Sequence, residues 1–150
     1  MCSYCGCQAI TVIGRFMAEH EEIVNALSRL RSTCAAGDGE AVVEAAGHMG
    51  ALLHPHTQAE EVGLFAVMRT DPEFTAHIES LCVEHVTLDE HLQRIVAGEH
   101  SRFAEFERAL RVHLDREDNG LFPAAAIALN GPDWERVDAL TPTAVADTPA

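Results

Sequence analysis

Apolar residues at Ile13, Phe16/Met17, Ile23/Val24, Leu27 and Leu30 recur every three or four positions until Gly37-Asp38-Gly39 interrupts them. That spacing is one face of an α-helix, so a first helix is expected over residues 10–36. Asp38 is a suitable N-cap for a second helix, with Val42, Met49, Leu52/Leu53, Leu64 and Val67 on its stripe, ending near Arg69 ahead of Asp71-Pro72. Pro55 lies inside it. Proline removes one backbone hydrogen bond and crowds the preceding turn, which predicts a kink or distorted turn beside His56. Asp71 and Pro72 open a third helix whose stripe is Phe74, Ile78, Leu81, Leu88, Leu92 and Ile95, up to Gly98. Ser101 is the expected cap of a fourth, with Phe103, Phe106, Leu110 and Leu114 inward, running to about Phe122-Pro123.

The connections between these segments are short, which makes successive helices antiparallel. The expected fold is all-α, an up-down-up-down four-helix bundle over residues 9–130. A cysteine-rich segment (1–8) precedes it. A short helix around Pro132 to Leu140 and a disordered tail from Thr141 make up residues 131–150.

The polar residues on these stripes carry the chemistry. His56-Thr-Gln-Ala-Glu60-Glu61-Val-Gly-Leu64-Phe65 and His113-Leu-Asp-Arg-Glu117-Asp118-Asn-Gly-Leu121-Phe122 are one phrase written twice, and Glu19-His20 and Glu84-His85 precede the two copies. Positions 49, 52/53, 56, 60, 64 and 67 step by three or four, as do 106, 110, 113, 117 and 121, so His56, Glu60, His113 and Glu117 point inward. His20 falls between Phe16 and Ile23, and His85 between Leu81 and Leu88, on the same inner faces. A buried carboxylate without a partner costs several kcal/mol, and no lysine or arginine occupies a matching inward position to offset Glu60 and Glu117. A pair of divalent or trivalent cations would satisfy both carboxylates and four imidazoles together. Taken singly, an inward histidine is more often a hydrogen-bonded core residue and a His/Glu pair four apart a solvated ion pair. Four histidines and two glutamates at matched places in two halves favour the metal site.

Charge and cysteines narrow the remaining classes. A net charge of −14 with ten scattered basic residues argues against nucleic acid or an anionic membrane as partner. No apolar run is long enough to span a bilayer and no secretory leader pattern is seen, so a cytoplasmic location is expected. Five cysteines, an odd number, fit a reducing compartment. Cys2, Cys5 and Cys7 contain a CxxC spacing used for soft metals and dithiol exchange, yet a tetrahedral site lacks an obvious fourth ligand. They are candidate redox or metal thiols, set against a terminus with incidental thiols. Cys34 and Cys82 are expected as small core residues.

The other histidines, His48, His54, His77, His91 and His100, fall off the stripe, away from the proposed ligands or in a loop, and are expected at the surface or behind the ligands. Glu19, Glu61, Glu84 and Asp118 are rotated about 100° from the inner stripe and are expected to be exposed or to support the ligands from behind. Asp89, one turn beyond His85, is a candidate additional ligand, although helix one has Val24 at the corresponding place.

Glu19-His20, His56-x-x-x-Glu60-Glu61-x-x-Leu64-Phe65, Glu84-His85 and His113-x-x-x-Glu117-Asp118-x-x-Leu121-Phe122-Pro123 together resemble the hemerythrin-like HHE cation-binding family, from about residue 10 to residue 130. The resemblance implies a four-helix bundle holding two non-haem iron ions with an oxo or hydroxo bridge. His20 and His56 would serve one iron, His85 and His113 the other, and Glu60 and Glu117 would bridge. It implies a protein that binds and reacts with O2, H2O2 or NO in oxidative or nitrosative stress. Alternatives within the family are a non-enzymatic O2 or iron sensor or store and an iron donor for iron-sulfur-cluster repair. Leu81 stands where the oxygen-carrying members have a further histidine. By a count of about twelve positions on two six-coordinate irons, with about ten filled, one would stay open on each iron, which leans toward redox chemistry or sensing. The expected partners are a small diatomic or peroxide ligand and an electron donor of unknown identity, with the chain itself a monomer.

Overall fold

The computed structural model of the chain describes residues 10–144, and among them there is no strand. Helix α1 spans Thr11–Ala36 and ends on Gly37 at φ 69°, a left-handed turn that glycine adopts without steric penalty. Helix α2 spans Gly39–Glu60, and the Asp38 carboxylate accepts from the Ala41 N–H at its start. A π-turn, π1, follows over Glu61–Phe65, then a short α3 over Ala66–Met68. Helix α4, Pro72–Val96, opens with the Asp71 carboxylate accepting from the Glu73 N–H and with proline in its first turn, where a missing N–H is harmless. Helix α5 is Phe103–Arg116; π2, Glu117–Leu121, joins it to α6, Phe122–Ala128, and α7 is Gly131–Leu140.

Several expectations change. Helix α2 continues through Pro55 to Glu60, and the irregular turn begins six residues after the proline, at π1. Pro55 and Ala51, the residue whose carbonyl loses its partner, are both exposed, so water can replace the missing bond. The second and fourth predicted helices are each interrupted by a π-turn at the acidic pair of the repeated phrase. π-turns insert an extra residue and recur at functional sites. Ser101 is not a cap: it lies within a 3-10 turn, His100–Arg102, that leads into α5 without side-chain capping. The first residues of the expected tail are held, Arg15 donating to the Pro142 carbonyl at 2.7 Å and Thr141 packing on Gly63, and residues 145–150 of it lie outside the described residues. Cys2, Cys5 and Cys7 lie outside the described residues.

The long helices pack in a closed cycle, α1 on α2, α2 on α4, α4 on α5 and α5 on α1. Their stripes form two apolar clusters. One gathers Ile13, Phe16, Leu64, Phe65, Ile78, Leu81 and Phe122, with Val137 of α7 closing it. The other gathers Ile23, Leu30, Met49, Leu53, Leu92, Phe106 and Leu110. Each fully buried large side chain contributes roughly 1.5–3 kcal/mol, so two such clusters can hold a polar layer between them. That layer contains the four inward histidines and both inward glutamates.

The glycines of the repeated phrase are not equivalent. A Cβ on Gly63 in π1 would overlap Thr141 Oγ1 and approach its Cβ to 3.3 Å, whereas Gly120 in π2 has nothing within 4 Å. Gly63→Ala is expected to destabilise the protein by about 1–3 kcal/mol through overpacking. Gly120→Ala is expected to be neutral or to stabilise by up to about 1 kcal/mol. Denaturant melts of the two variants check this; equal shifts would contradict the α7–π1 contact.

Candidate metal centre

Each long helix delivers one histidine to the layer: His20 from α1, His56 from α2, His85 from α4 and His113 from α5. The glutamates sit at the junctions with the π-turns, Glu60 closing α2 and Glu117 opening π2. All six are buried, both glutamates completely. The structure therefore brings together His20, His56, Glu60, His85, His113 and Glu117. It does not bring Asp89, whose carboxylate is half-exposed and bonded to His54 Nε2 at 2.7 Å and to the Gln93 amide at 2.8 Å.

The six form two overlapping groups, His20/His56/Glu60/Glu117 and Glu60/His85/His113/Glu117. Within each histidine pair the Nε2 atoms face one another, at 3.0 Å for His20 and His56 and 3.1 Å for His85 and His113. Both carboxylates lie between the pairs. Glu60 Oε1 is 3.2 Å from His56 Nε2 and 3.5 Å from His85 Nε2, and Glu117 Oε1 is 3.3 Å from His113 Nε2 and 3.2 Å from His20 Nε2. The two ring pairs have the same centroid separation, 4.7 Å, and the same interplanar angle, 69°. The sequence repeat is thus a repeat in space.

The outer faces of the rings set their tautomers. A carboxylate can only accept, so His20 Nδ1–H donates to Asp118 (2.8 Å), His56 Nδ1–H to Glu19 (2.8 Å) and His113 Nδ1–H to Glu84 (2.9 Å). Arg116 in turn pairs with Glu84, and Arg15 with Glu19. A proton fixed at Nδ1 leaves a lone pair at Nε2, the form in which imidazole ligates a metal. Two such lone pairs 3 Å apart repel unless a cation lies between them. All four oxygens of Glu60 and Glu117 also lack a hydrogen-bond donor. Orphaned buried carboxylates beside opposed imidazole lone pairs fit a pair of metal ions, and the histidine–carboxylate donor set suits borderline metals such as iron.

Without metal, protons must take that role. Burial opposes charge on His20, but Asp118 and Glu117 outweigh it and raise its pKa to about 9. Burial likewise opposes charge on His56, and Glu60 and Glu19 carry it to about 10. Burial works against the Glu117 carboxylate too, yet His113 and His20 hold its pKa well below the usual range. At 3.0 Å the His20 and His56 rings hold one proton between them rather than one each. A folded-state pKa above the unfolded value near 6.5 stabilises fully below about pH 6.5 and is lost as pH rises through the folded value. The metal-free protein is therefore expected to lose stability progressively between about pH 6.5 and 10. Thermal melts across that range check the sign; a midpoint that rises with pH would contradict it.

The phenylalanines that end the two copies of the repeated phrase cover the site. Phe65 stacks on His85 (5.6 Å, 14°) and Phe122 on His20 (5.6 Å, 21°), each covering a histidine of the other half. The Gly-Leu-Phe ending common to both copies was the available signal. Cys34 is buried as expected, whereas Cys82 is only half-buried, with Arg69 donating to its Sγ at 3.2 Å. Cys82 packs against the edge of the core rather than within it.

An all-helical protein with a buried layer of four histidines and two shared carboxylates belongs to the class of helical metal-binding proteins. The family model described as the hemerythrin HHE cation binding domain matches residues 11–125, and the chain belongs to that family. No curated protein and no solved structure matches it. No described helix is long and apolar enough to cross a membrane.

Proposed function

We propose that the chain is an up-down-up-down four-helix bundle that holds two non-haem iron ions and binds, and reacts with, O2, H2O2 or NO. The carrying observation is that both four-residue groups share Glu60 and Glu117, so two cations would sit side by side with common carboxylates. Iron bound there supplies reversible one-electron change at each of two adjacent ions. His20, His56, His85 and His113 bind through Nε2. The carboxylates behind three of those rings fix the tautomer and strengthen the ring as a donor. Glu60 and Glu117 balance positive charge at both positions. Phe16, Phe65, Phe122 and Leu81 exclude bulk water, which strengthens every electrostatic interaction within the layer.

A groove of about 430 Å³ between α1 and α5 reaches the edge of this layer at His20 and Asp118, between Met17, Leu114 and Asn119. It suits the approach of a small ligand better than that of a macromolecule. Leu81 is fully buried beside the layer, so the position that another histidine could fill carries no donor. That supports a reactive or sensing role over oxygen carriage. The half-buried free thiol of Cys82 fits a reducing, cytoplasmic setting, and the electron donor is an external one. The test is to reduce the iron-loaded protein anaerobically, add O2, H2O2 and NO in turn, and follow absorption and turnover. The reading expects a spectral change and consumption with at least one of them; a zinc-only centre inert to all three would overturn it.

A further inference from the structure

The groove between α1 and α5 is acidic, and it ends on a histidine of the metal layer. Its walls carry His20, Glu21, Asn25, Asp115, Asp118 and Asn119. Arg111, the cation among its lining residues, donates to Glu107 at 3.3 Å. Behind His20 the Glu117 carboxylate is fully buried, with Oε1 3.2 Å from His20 Nε2 and neither oxygen receiving a hydrogen bond. A small cation in this groove therefore meets carboxylates and amides first, and then buried oxygens that lack donors. The wall beside Asp118 is the tip of π2. Asn119 and Gly120 are exposed there, and a Cβ on Gly120 would meet nothing within 4 Å, so the tip can shift without disturbing a packed neighbour.

The matching edge at His85 is built otherwise. His85 is the more exposed ring, at 8% against 3% for His20, but its surroundings do not favour a cation in the same way. Val86 and Gln58 stand at the places that Glu21 and Asp115 hold in the repeat. Asp89, one turn on, is tied to His54 and Gln93. The turn at this edge is also pinned, because Gly63 of π1 is buried under Thr141, α7 packs on π1, and Arg15 holds the Pro142 carbonyl. We propose that Fe(II) enters and leaves the layer through the α1–α5 groove, past Glu21, Asp115 and His20, while α7 holds the His85 edge fixed. The inference rests on the two-metal reading above. A cleft lined by one sign of charge raises the on-rate of an oppositely charged ion by about 10–10³-fold. Glu21 and Asp115 are not among the six residues that face the metal positions, so they set the rate of loading and not the number of ions held.

The test is the rate at which the metal-free full chain takes up Fe(II) anaerobically, with unbound ion trapped by a coloured chelator after set times. The reverse rate is read by adding excess chelator to the loaded chain. The double variant Glu21→Gln/Asp115→Asn should load about 10-fold more slowly than the wild type and still hold two ions at equilibrium. Glu79→Gln/Glu90→Gln removes the same charge from exposed places on α4 and should load at the wild-type rate. Asn25→Trp, at an exposed place on the groove wall, should slow both uptake and removal several-fold. Val86→Trp, at the exposed place beside His85, should slow neither. The equilibrium iron content of each variant shows that its layer is intact. Equal loading rates in the two double variants, or slowing by Val86→Trp and not by Asn25→Trp, would overturn the proposal. Fewer than two Fe(II) held by the wild type at equilibrium would instead overturn the two-metal reading on which it rests.

Discussion

Under the proposed two-iron reading, Glu60→Ala or Glu117→Ala alone is expected to lower bound iron from two ions per chain to one or none. Each carboxylate lies within 4.0 Å of histidines from both pairs, Glu60 of His56, His85 and His20, Glu117 of His113, His20 and His85. Removing either strips a ligand from both positions and leaves two sets of opposed imidazoles with half the counter-charge. His56→Ala, by contrast, removes one ligand from one position and should spare the other ion. Glu44→Ala, at an exposed carboxylate paired only with Arg29, should leave the iron content unchanged. Iron analysis after equilibrium dialysis distinguishes these outcomes. Retention of two ions by Glu60→Ala would contradict the shared-carboxylate arrangement.

Removal of metal by a chelator is expected to lower the melting midpoint on the order of 10 °C at neutral pH, since ligands that bind only the folded state stabilise it by mass action. The layer explains why the effect should be large. Four carboxylate oxygens buried without donors are balanced, in the metal-free protein, only by protons on neighbouring imidazoles. Those protons occupy the space between opposed rings less well than metal, and they are lost at high pH. The chelated protein should therefore be both less stable and more pH-sensitive than the loaded one. Identical midpoints with and without metal would mean that the layer is satisfied without a cation.

Much of this was legible in the chain because helical periodicity and the repeat point the same way. His20, His56, His85 and His113 fall on the apolar stripes, and the twice-written phrase says which carboxylates accompany them. Cap chemistry placed Gly37, Asp38, Asp71 and Pro72 correctly, because each acts through local backbone geometry. What was not legible depends on distances between helices. The π-turns at Glu61–Phe65 and Glu117–Leu121 leave no mark in the pattern, because the helical stripe continues on either side of them in sequence. Pro55 does not end α2, since exposure of the affected turn lets water take over the lost bond, and the irregular turn at π1 was not foreseen. Asp89 shares a helix face with His85 but lies toward α2, where His54 holds it. The crossing of Asp118 to His20 at 2.8 Å, and the 3.8 Å at which Glu61 stands from His85, are distances between helices that no period records.

The central claim is that Glu60 and Glu117 jointly hold two metal ions between the two histidine pairs. The most direct measurement is the crystal structure of the iron-loaded protein with anomalous scattering collected at the iron edge. Two peaks are expected, one between His20 and His56 and one between His85 and His113, both within bonding distance of Glu60 and Glu117 oxygens. A single peak, or iron bound elsewhere with the four buried carboxylate oxygens still unliganded, would contradict it.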